Sequence, residues 1–263
     1  MKRLIYQVAV GKPSRLYEHC IQSVADYCKQ HGIEHRVQRT PILMIKPDPF
    51  ASNRSRESWE KHGGFLPIFE KENAFACLKS FDQVAVIDAD VWIRPGTPNI
   101  FDEMHEKFDF AGVVEREMPI TEQYRLKIFN YSRMQYGHLH SNSMDFKPNQ
   151  SGFEFINMGV IVMNKKIDNY LRGETPQQFI RRPEFKNFVD GKGAWKWSTD
   201  QTLLNYWIKK EKMKVKNLDW KWNALYKGIH DYKIKDAHFV HFFLKDLLPN
   251  KGEDIEELIK NVT

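Results

Sequence analysis

Two carboxylates one residue apart, Asp88 and Asp90, close the apolar run Val84-Ala85-Val86-Ile87, with Ala89 between them. Acid groups this close repel, and burying them is expensive unless a cation neutralises both. A hard divalent ion that prefers oxygen ligands does so, which points to Mg²⁺ or Mn²⁺. A third acid, Asp200, is followed by the amide of Gln201 in Thr199-Asp200-Gln201-Thr202. Toward the end of the chain, His241 in Val240-His241-Phe242 offers an imidazole, and His238 competes with it. Each group has a plainer reading. The acid pair is also an ordinary acidic turn, Asp200 a helix cap beside Ser198 and Thr199, and His241 a satisfied histidine at a sheet edge.

The elements that must position these groups follow from pattern. Val84 to Ile87 is a short β-branched run, the signature of a strand buried on both faces. Residues just past such a strand sit where open α/β sheets bind ligands. Leu4 to Val10 reads as a first strand. A helix with Leu16, Cys20, Val24 and Tyr27 on one face follows, capped by Ser14 and ended by Gly32. Ile33 to Val37 then completes a β-α-β start. The stretch 40–64, rich in proline, serine and charge, reads as an irregular excursion. Pro67 to Ser80 reads as a helix, Asp109 to Val114 as a strand, and 115–152 as a partly helical insertion on the acceptor side. Phe155 to Met163 is strand-like, interrupted by Asn157 and Gly159, where glycine permits close approach of a ligand or backbone. Helices over Thr175 to Phe188 and Ser198 to Lys212, strands near Val215 and at His238 to Phe242, and a terminal helix over 253–263 complete the pattern. No linker divides the chain, which predicts one domain over 1–263.

Four patches, in order, resemble the nucleotide-sugar glycosyltransferases of the GT-A fold, the glycogenin and galactosyltransferase-like family above all. They are Val84–Val91 with its Asp-x-Asp motif, Ile156-Asn157-Met158-Gly159-Val160-Ile161-Val162-Met163-Asn164, Thr199-Asp200-Gln201-Thr202-Leu203-Leu204-Asn205, and Val240-His241-Phe242. The resemblance implies a Rossmann-like α/β fold with a mixed, mostly parallel sheet flanked by helices. It also implies transfer of a sugar from a nucleotide diphosphate donor, UDP-linked, with retention of configuration. Asp88, Asp90 and His241 would hold the metal, with Mn²⁺ preferred over Mg²⁺ because imidazole suits it better. The metal would stabilise the departing diphosphate as a Lewis acid. Asp200 and Gln201 would face the reacting sugar as the catalytic pair. Val8, Ala9 and Val10 would border the base and ribose. Lys71, Ala89, Asn157 and Gly159 would lie along the donor. Lys245 stands near the place of the family's diphosphate lysine, but the glycine that usually precedes it is missing. Trp220, Trp222 and Asn223 resemble the family's segment before the last strand, one tryptophan stacking on a sugar and the other in the core. Tyr124, Tyr131, Tyr136, His138 and His140 are acceptor-side candidates, and the two histidines lack a third ligand for a metal site of their own.

Composition narrows the classes. With 41% hydrophobic and 13% aromatic residues, the 263-residue chain can bury a full core and is no disordered tail. Three cysteines, Cys20, Cys28 and Cys77, lie in apolar patterns without metal spacing, as reduced core residues of a cytoplasmic protein do. A net charge of +6 suits an anionic partner and peripheral attachment to an anionic membrane surface. The acceptor class stays open among glycan, lipid-linked and protein hydroxyls, and so does the oligomeric state. A sugar nucleotidyltransferase would want a glycine-rich basic loop after the first strand, and Gly11-Lys12-Pro13-Ser14-Arg15 is a poor match. A nucleic-acid-binding module would gather its basic and aromatic residues on one surface. Here they are spread along the chain, and acids occupy the central position.

Overall fold

The computed structural model describes residues 1–11, 14–50, 53–142 and 144–263. Lys12 and Pro13, and with them the loop that would distinguish a nucleotidyltransferase, lie outside the described residues. The chain opens with β1 (Arg3–Val8), α1 (Arg15–His31) and β2 (Glu34–Gln38). α1 buries the expected stripe of Leu16, Cys20, Val24 and Tyr27, and ends where Gly32 takes the left-handed conformation at φ 63°. Ser14 stands at the cap position, but its hydroxyl donates to Glu253 Oε1 (3.1 Å) instead of capping.

The excursion at 40–64 is not wholly irregular, for it holds α2 (Asn53–His62). Apart from Trp59 its sequence is polar and offers no apolar stripe to read. Pro67–Lys79 is helical as expected but winds as a 3₁₀ helix, with Pro67 in its first turn. β3 (Gln83–Ile87) and β4 (Val91–Ile93) bracket the acid pair, and β5 is Phe110–Val114. The 115–152 stretch contains α3 (Glu122–Ser132), a π-helical turn at Arg133–Gly137, α4 (His138–Ser141) and the small hairpin β6 (Pro148–Asn149) with β7 (Gly152–Phe153).

β8 (Ile156–Asn164) is followed by α5 (Ile167–Leu171), α6 (Pro176–Ile180) and α7 (Lys186–Asp190). The single helix expected over 175–188 is therefore split, because Pro183 opens a separate 3₁₀ turn, Pro183–Phe185. α8 (Asp200–Lys210), β9 (Val215–Asn217), β10 (Ala224–Leu225), β11 (Phe239–His241) and a six-residue α9 (Ile255–Lys260) complete the chain.

Among the described residues six strands form one sheet in the order β2-β1-β3-β8-β5-β9. β8 runs antiparallel to both its neighbours, whereas β1–β2, β1–β3 and β5–β9 pair in parallel. The sheet is thus mixed and mostly parallel. β3 and β8 are buried along their whole lengths, as strands covered on both faces are. The register of β8 against β5 jumps from Ile161 to Asn157, so the interruption expected at Asn157 and Gly159 is a bulge. A second sheet, β10-β11-β4, brings the end of the chain against the acid pair. Cys20, Cys28 and Cys77 are free thiols in the core. No helix among the described residues is long and apolar enough to cross a membrane.

Candidate active site

β3 stops at Ile87, and three segments clamp the turn that follows. Asp88 N–H donates to Gly159 O (2.8 Å), Gln7 Nε2 to Asp88 O (3.3 Å), and Phe242 N–H to Asp90 O (2.9 Å). Ala89 is buried between the acids. β11 pairs antiparallel with β4, placing His241 opposite Val91. Its Nε2 thereby lies 3.3 Å from Asp90 Oδ1 and 3.7 Å from Asp88 Oδ2. One donor atom from each of Asp88, Asp90 and His241 falls within 4.8 Å of the others. The other ring nitrogen, Nδ1, is 3.1 Å from Asn223 Oδ1. An amide oxygen only accepts, so Nδ1 carries the proton and Nε2 is left as a lone-pair donor. Two carboxylates and a correctly oriented imidazole fit a divalent cation. His238, the competitor, instead packs against the Trp222 ring.

The charges at this corner are perturbed as their proximity dictates. Burial opposes ionisation of Asp90, but the hydrogen bond and charge of His241, with Lys245 behind, hold it below the usual carboxylate range. Burial likewise opposes protonation of His241, and the hydrogen bond and charge of Asp90, then the charge of Asp88, outweigh it and raise its pKa. A dication held by the same atoms would require a neutral imidazole with the Nε2 lone pair free.

Gly159 owes its identity to His241. A Cβ there would lie 2.3 Å from His241 Cε1 and 2.4 Å from Nδ1. A close approach at this position is made by the His241 imidazole, and Gly159 also lines the adjoining cavity.

Lys71 projects from the 67–79 helix into the site and is nearly buried. Its Nζ lies 2.8 Å from Asp88 Oδ1 and 2.7 Å from Asp200 Oδ2, and donates to Met158 O at 3.3 Å. The contact with Asp200 is a close ion pair rather than an aligned hydrogen bond. Burial alone would lower the lysine pKa, but the charges of Asp200 and Asp88 raise it, so Lys71 stays an ammonium. A solvated helix face is thus excluded for it.

Asp200 opens α8 but does not cap it, for Thr199 accepts from Gln201 N–H (3.2 Å) in that role. The Asp200 carboxyl is instead buried, which raises its pKa, while Lys71 opposes the rise. Gln201 Oε1 accepts from Met158 N–H at 3.2 Å, tying α8 to β8.

These groups share a cavity of about 330 Å³, lined by Lys71, Asp88, Asp90, Asp200, Gln201 and His241. A larger groove of about 950 Å³ between α8 and β9 contains none of these groups, so volume does not mark the site. Asn157 lines the cavity, but its amide serves the protein. Nδ2 donates to Glu115 Oε2 (2.7 Å), while Oδ1 accepts from Gly159 N–H (2.9 Å) and Asn223 Nδ2 (2.8 Å). Lys245, outside the cavity lining, is hydrogen-bonded to Tyr17 and lies 3.9 Å from Asp90 Oδ2. Val8, Ala9 and Val10 stand at the β1 end beside the turn, outside the cavity lining.

Of the aromatic candidates, Tyr124 and Tyr131 line the cavity from α3, with Trp197 on its rim. Tyr136 is wholly buried and stacks on Phe155. His138 packs on Trp195 and His140 on Phe153, well apart from the acid cluster. Trp222 is core, against His238 and Phe239, and Trp220 is only partly buried against the core. Neither tryptophan lines the cavity. Sequence reasoning passed over Glu115 and Trp197. A single acid after a strand and a single tryptophan before a helix form no pattern, and only the tertiary fold brings them to the cavity.

No known family model and no curated protein matches the sequence. Solved structures do. A glycosyltransferase involved in the glycosylation of the major capsid of PBCV-1 is similar over 97% of this chain and 100% of its own, at 16% identity and a TM-score of 0.51. The WbbM bifunctional glycosyltransferase is similar over 100% of this chain and 50% of its own, at 10% identity and a TM-score of 0.55. This chain therefore spans about half the length of WbbM. At such identities the likeness shows the fold, which is the GT-A glycosyltransferase fold.

Proposed function

We propose that the chain is a metal-dependent glycosyltransferase that moves a sugar from a nucleotide diphosphate sugar, UDP-linked, to a hydroxyl acceptor on a glycan, lipid or protein. One observation carries the reading. Two acids and an imidazole converge at the tip of β3, and Lys71 joins that cluster to a third acid, Asp200, across one cavity. Asp88, Asp90 and His241 would hold the metal, Mn²⁺ by preference over Mg²⁺, and the ion would supply charge stabilisation for the leaving diphosphate. Lys245, beside Asp90, adds a cation on the same side.

Retention of configuration is the outcome the cavity favours. A general base needs a carboxylate free to take the acceptor's proton. Asp200 is buried against Lys71, and Glu115 accepts from both Tyr124 and Asn157. Asp88 and Asp90 belong to the metal cluster. Asp200 is better suited to steadying positive charge at the sugar carbon, with Gln201 orienting the ring. The stretch carrying α3 and Trp197 would border the acceptor. The positive net charge is compatible with work at an anionic membrane surface in the cytoplasm.

The test is a hydrolysis screen of nucleotide sugars with Mn²⁺, on the wild type and Asp90→Ala. Release of nucleoside diphosphate from one donor, lost in a folded Asp90→Ala protein and on chelation, is the expected result. Unchanged turnover in that variant removes the centre of the reading.

A further inference from the structure

Glu115 is buried, at 4% exposure, although it directly follows β5 at the end of a strand and would ordinarily reach solvent. Its two oxygens have one donor each: Tyr124 Oη on Oε1 at 2.7 Å and Asn157 Nδ2 on Oε2 at 2.7 Å. The chain continues inward. Asn157 Oδ1 accepts from Asn223 Nδ2 at 2.8 Å, and Asn223 Oδ1 faces His241 Nδ1 at 3.1 Å. The two amides are not free to flip. Asn157 Oδ1 accepts from the Gly159 N–H at 2.9 Å, so its nitrogen faces Glu115. Asn223 must then donate to Asn157, which turns its oxygen to His241. The only consistent assignment puts the proton on Nδ1 and the lone pair of Nε2 toward Asp88 and Asp90. Glu115 is thus the acidic end of the chain that, together with the Gly159 N–H, holds the Asn157 amide and through it the orientation of the imidazole.

The outer end of the chain lies on α3. Tyr124 sits in its first turn, where its N–H is held by Thr121 Oγ1 at 3.3 Å, and its ring packs edge-on to Phe243. Tyr124 and Tyr131 also line the cavity from α3.

We infer that Glu115 is a positioning residue for His241, and that through Tyr124 it ties the grip on a divalent cation to the placement of α3. This rests on the reading of Asp88, Asp90 and His241 as metal ligands. Groups that orient a ligating histidine typically change metal affinity by about 10–100-fold when removed. The tautomer, not only the packing, is at stake.

The experiment measures Mn²⁺ binding, alone and with UDP, by the EPR signal of the free ion, beside thermal melting of each variant. Glu115→Leu is expected to weaken Mn²⁺ by about tenfold or more. Glu115→Gln should stay within about threefold of the wild type, since its amide can accept from Asn157 and donate to Tyr124 Oη. Tyr124→Phe, which removes one hydroxyl and keeps the ring, is expected between the two and covers the case in which Glu115→Leu does not fold. Folded Glu115→Leu and Tyr124→Phe proteins with wild-type Mn²⁺ affinity overturn the inference alone, as does equal loss in Glu115→Gln and Glu115→Leu. A wild type that takes up Mn²⁺ in neither arm overturns the metal-site reading and this inference together.

Discussion

Replacing Lys71 with methionine tests the electrostatics of the site without touching a metal ligand. The side chain keeps its length but loses a cation that lies 2.8 Å from Asp88 and 2.7 Å from Asp200. Asp88 has a quarter of its side-chain surface exposed and recovers some hydration, whereas Asp200, at 3%, recovers almost none. Removing one partner of a buried ion pair costs about 3–5 kcal/mol because the other is left uncompensated. We expect a loss in that range at pH 7.5. The sign with pH follows from Asp200, whose carboxyl burial already raises above its ordinary value while Lys71 opposes the rise. Without Lys71 the folded-state value climbs further. A raised acid binds its proton in the folded state first, so the penalty is smallest below the unfolded carboxylate range and grows as pH rises through the raised folded value. Urea unfolding at pH 5 and pH 7.5 measures both. Adding Asp200→Asn to the Lys71→Met protein should recover more than half the loss, a coupling of about 2 kcal/mol. A Lys71→Met protein within about 1 kcal/mol of wild type at pH 7.5, or one whose deficit widens on acidification, refutes the reasoning.

Two further substitutions probe the packing around the same corner. Gly159→Ala would drive a methyl into the His241 ring, so it should cost about 1–3 kcal/mol of stability and displace the imidazole. Melting and Mn²⁺ binding should fall together, and wild-type behaviour in both would contradict the contact. Glu72 is buried beside Lys71 and has no hydrogen-bond partner for either oxygen among the described residues. Burial, and then the charge of Asp200, raise its pKa well above the ordinary value. An unsatisfied buried polar group costs about 1–3 kcal/mol, so Glu72→Met, of similar volume, should raise the urea midpoint. A lowered midpoint would mean that the acid has a partner after all.

Much of this was legible in the chain before any coordinates. The apolar run into Asp88 and Asp90 specified a buried strand with acids at its tip, and the α1 stripe with Gly32 specified a helix and its end. These are local rules, and they held. What was not legible is what depends on approach between distant segments. Lys71 was placed beside the donor only by resemblance, because a lysine among charged neighbours gives no sign that two acids, Asp88 and Asp200, hold it inside the fold. Gly159 read as an interruption of a strand, which it is, but the ring that requires it comes from a histidine on another sheet. α2 escaped notice because a polar helix leaves no periodicity. The split at Pro183 is different, since the proline was visible and was given too little weight.

Charge balance explains why these residues must come together. Asp88, Asp90 and Asp200 face the two cations Lys71 and Lys245, so the acids are in excess by one. Adding a dication would turn this into an excess of positive charge at the tip of β3, in a site too enclosed for water to screen it fully. A diphosphate would cancel that excess, so neither partner alone would leave the site balanced. Lys71 makes this possible by neutralising Asp200 from within the fold, so that the third acid does not compete for the ion. The geometry therefore favours binding of metal and diphosphate as a pair, with Mn²⁺ affinity higher in the presence of nucleoside diphosphate than in its absence, and with that difference diminished when Lys71 is methionine and Asp200 is left to draw on the same charge.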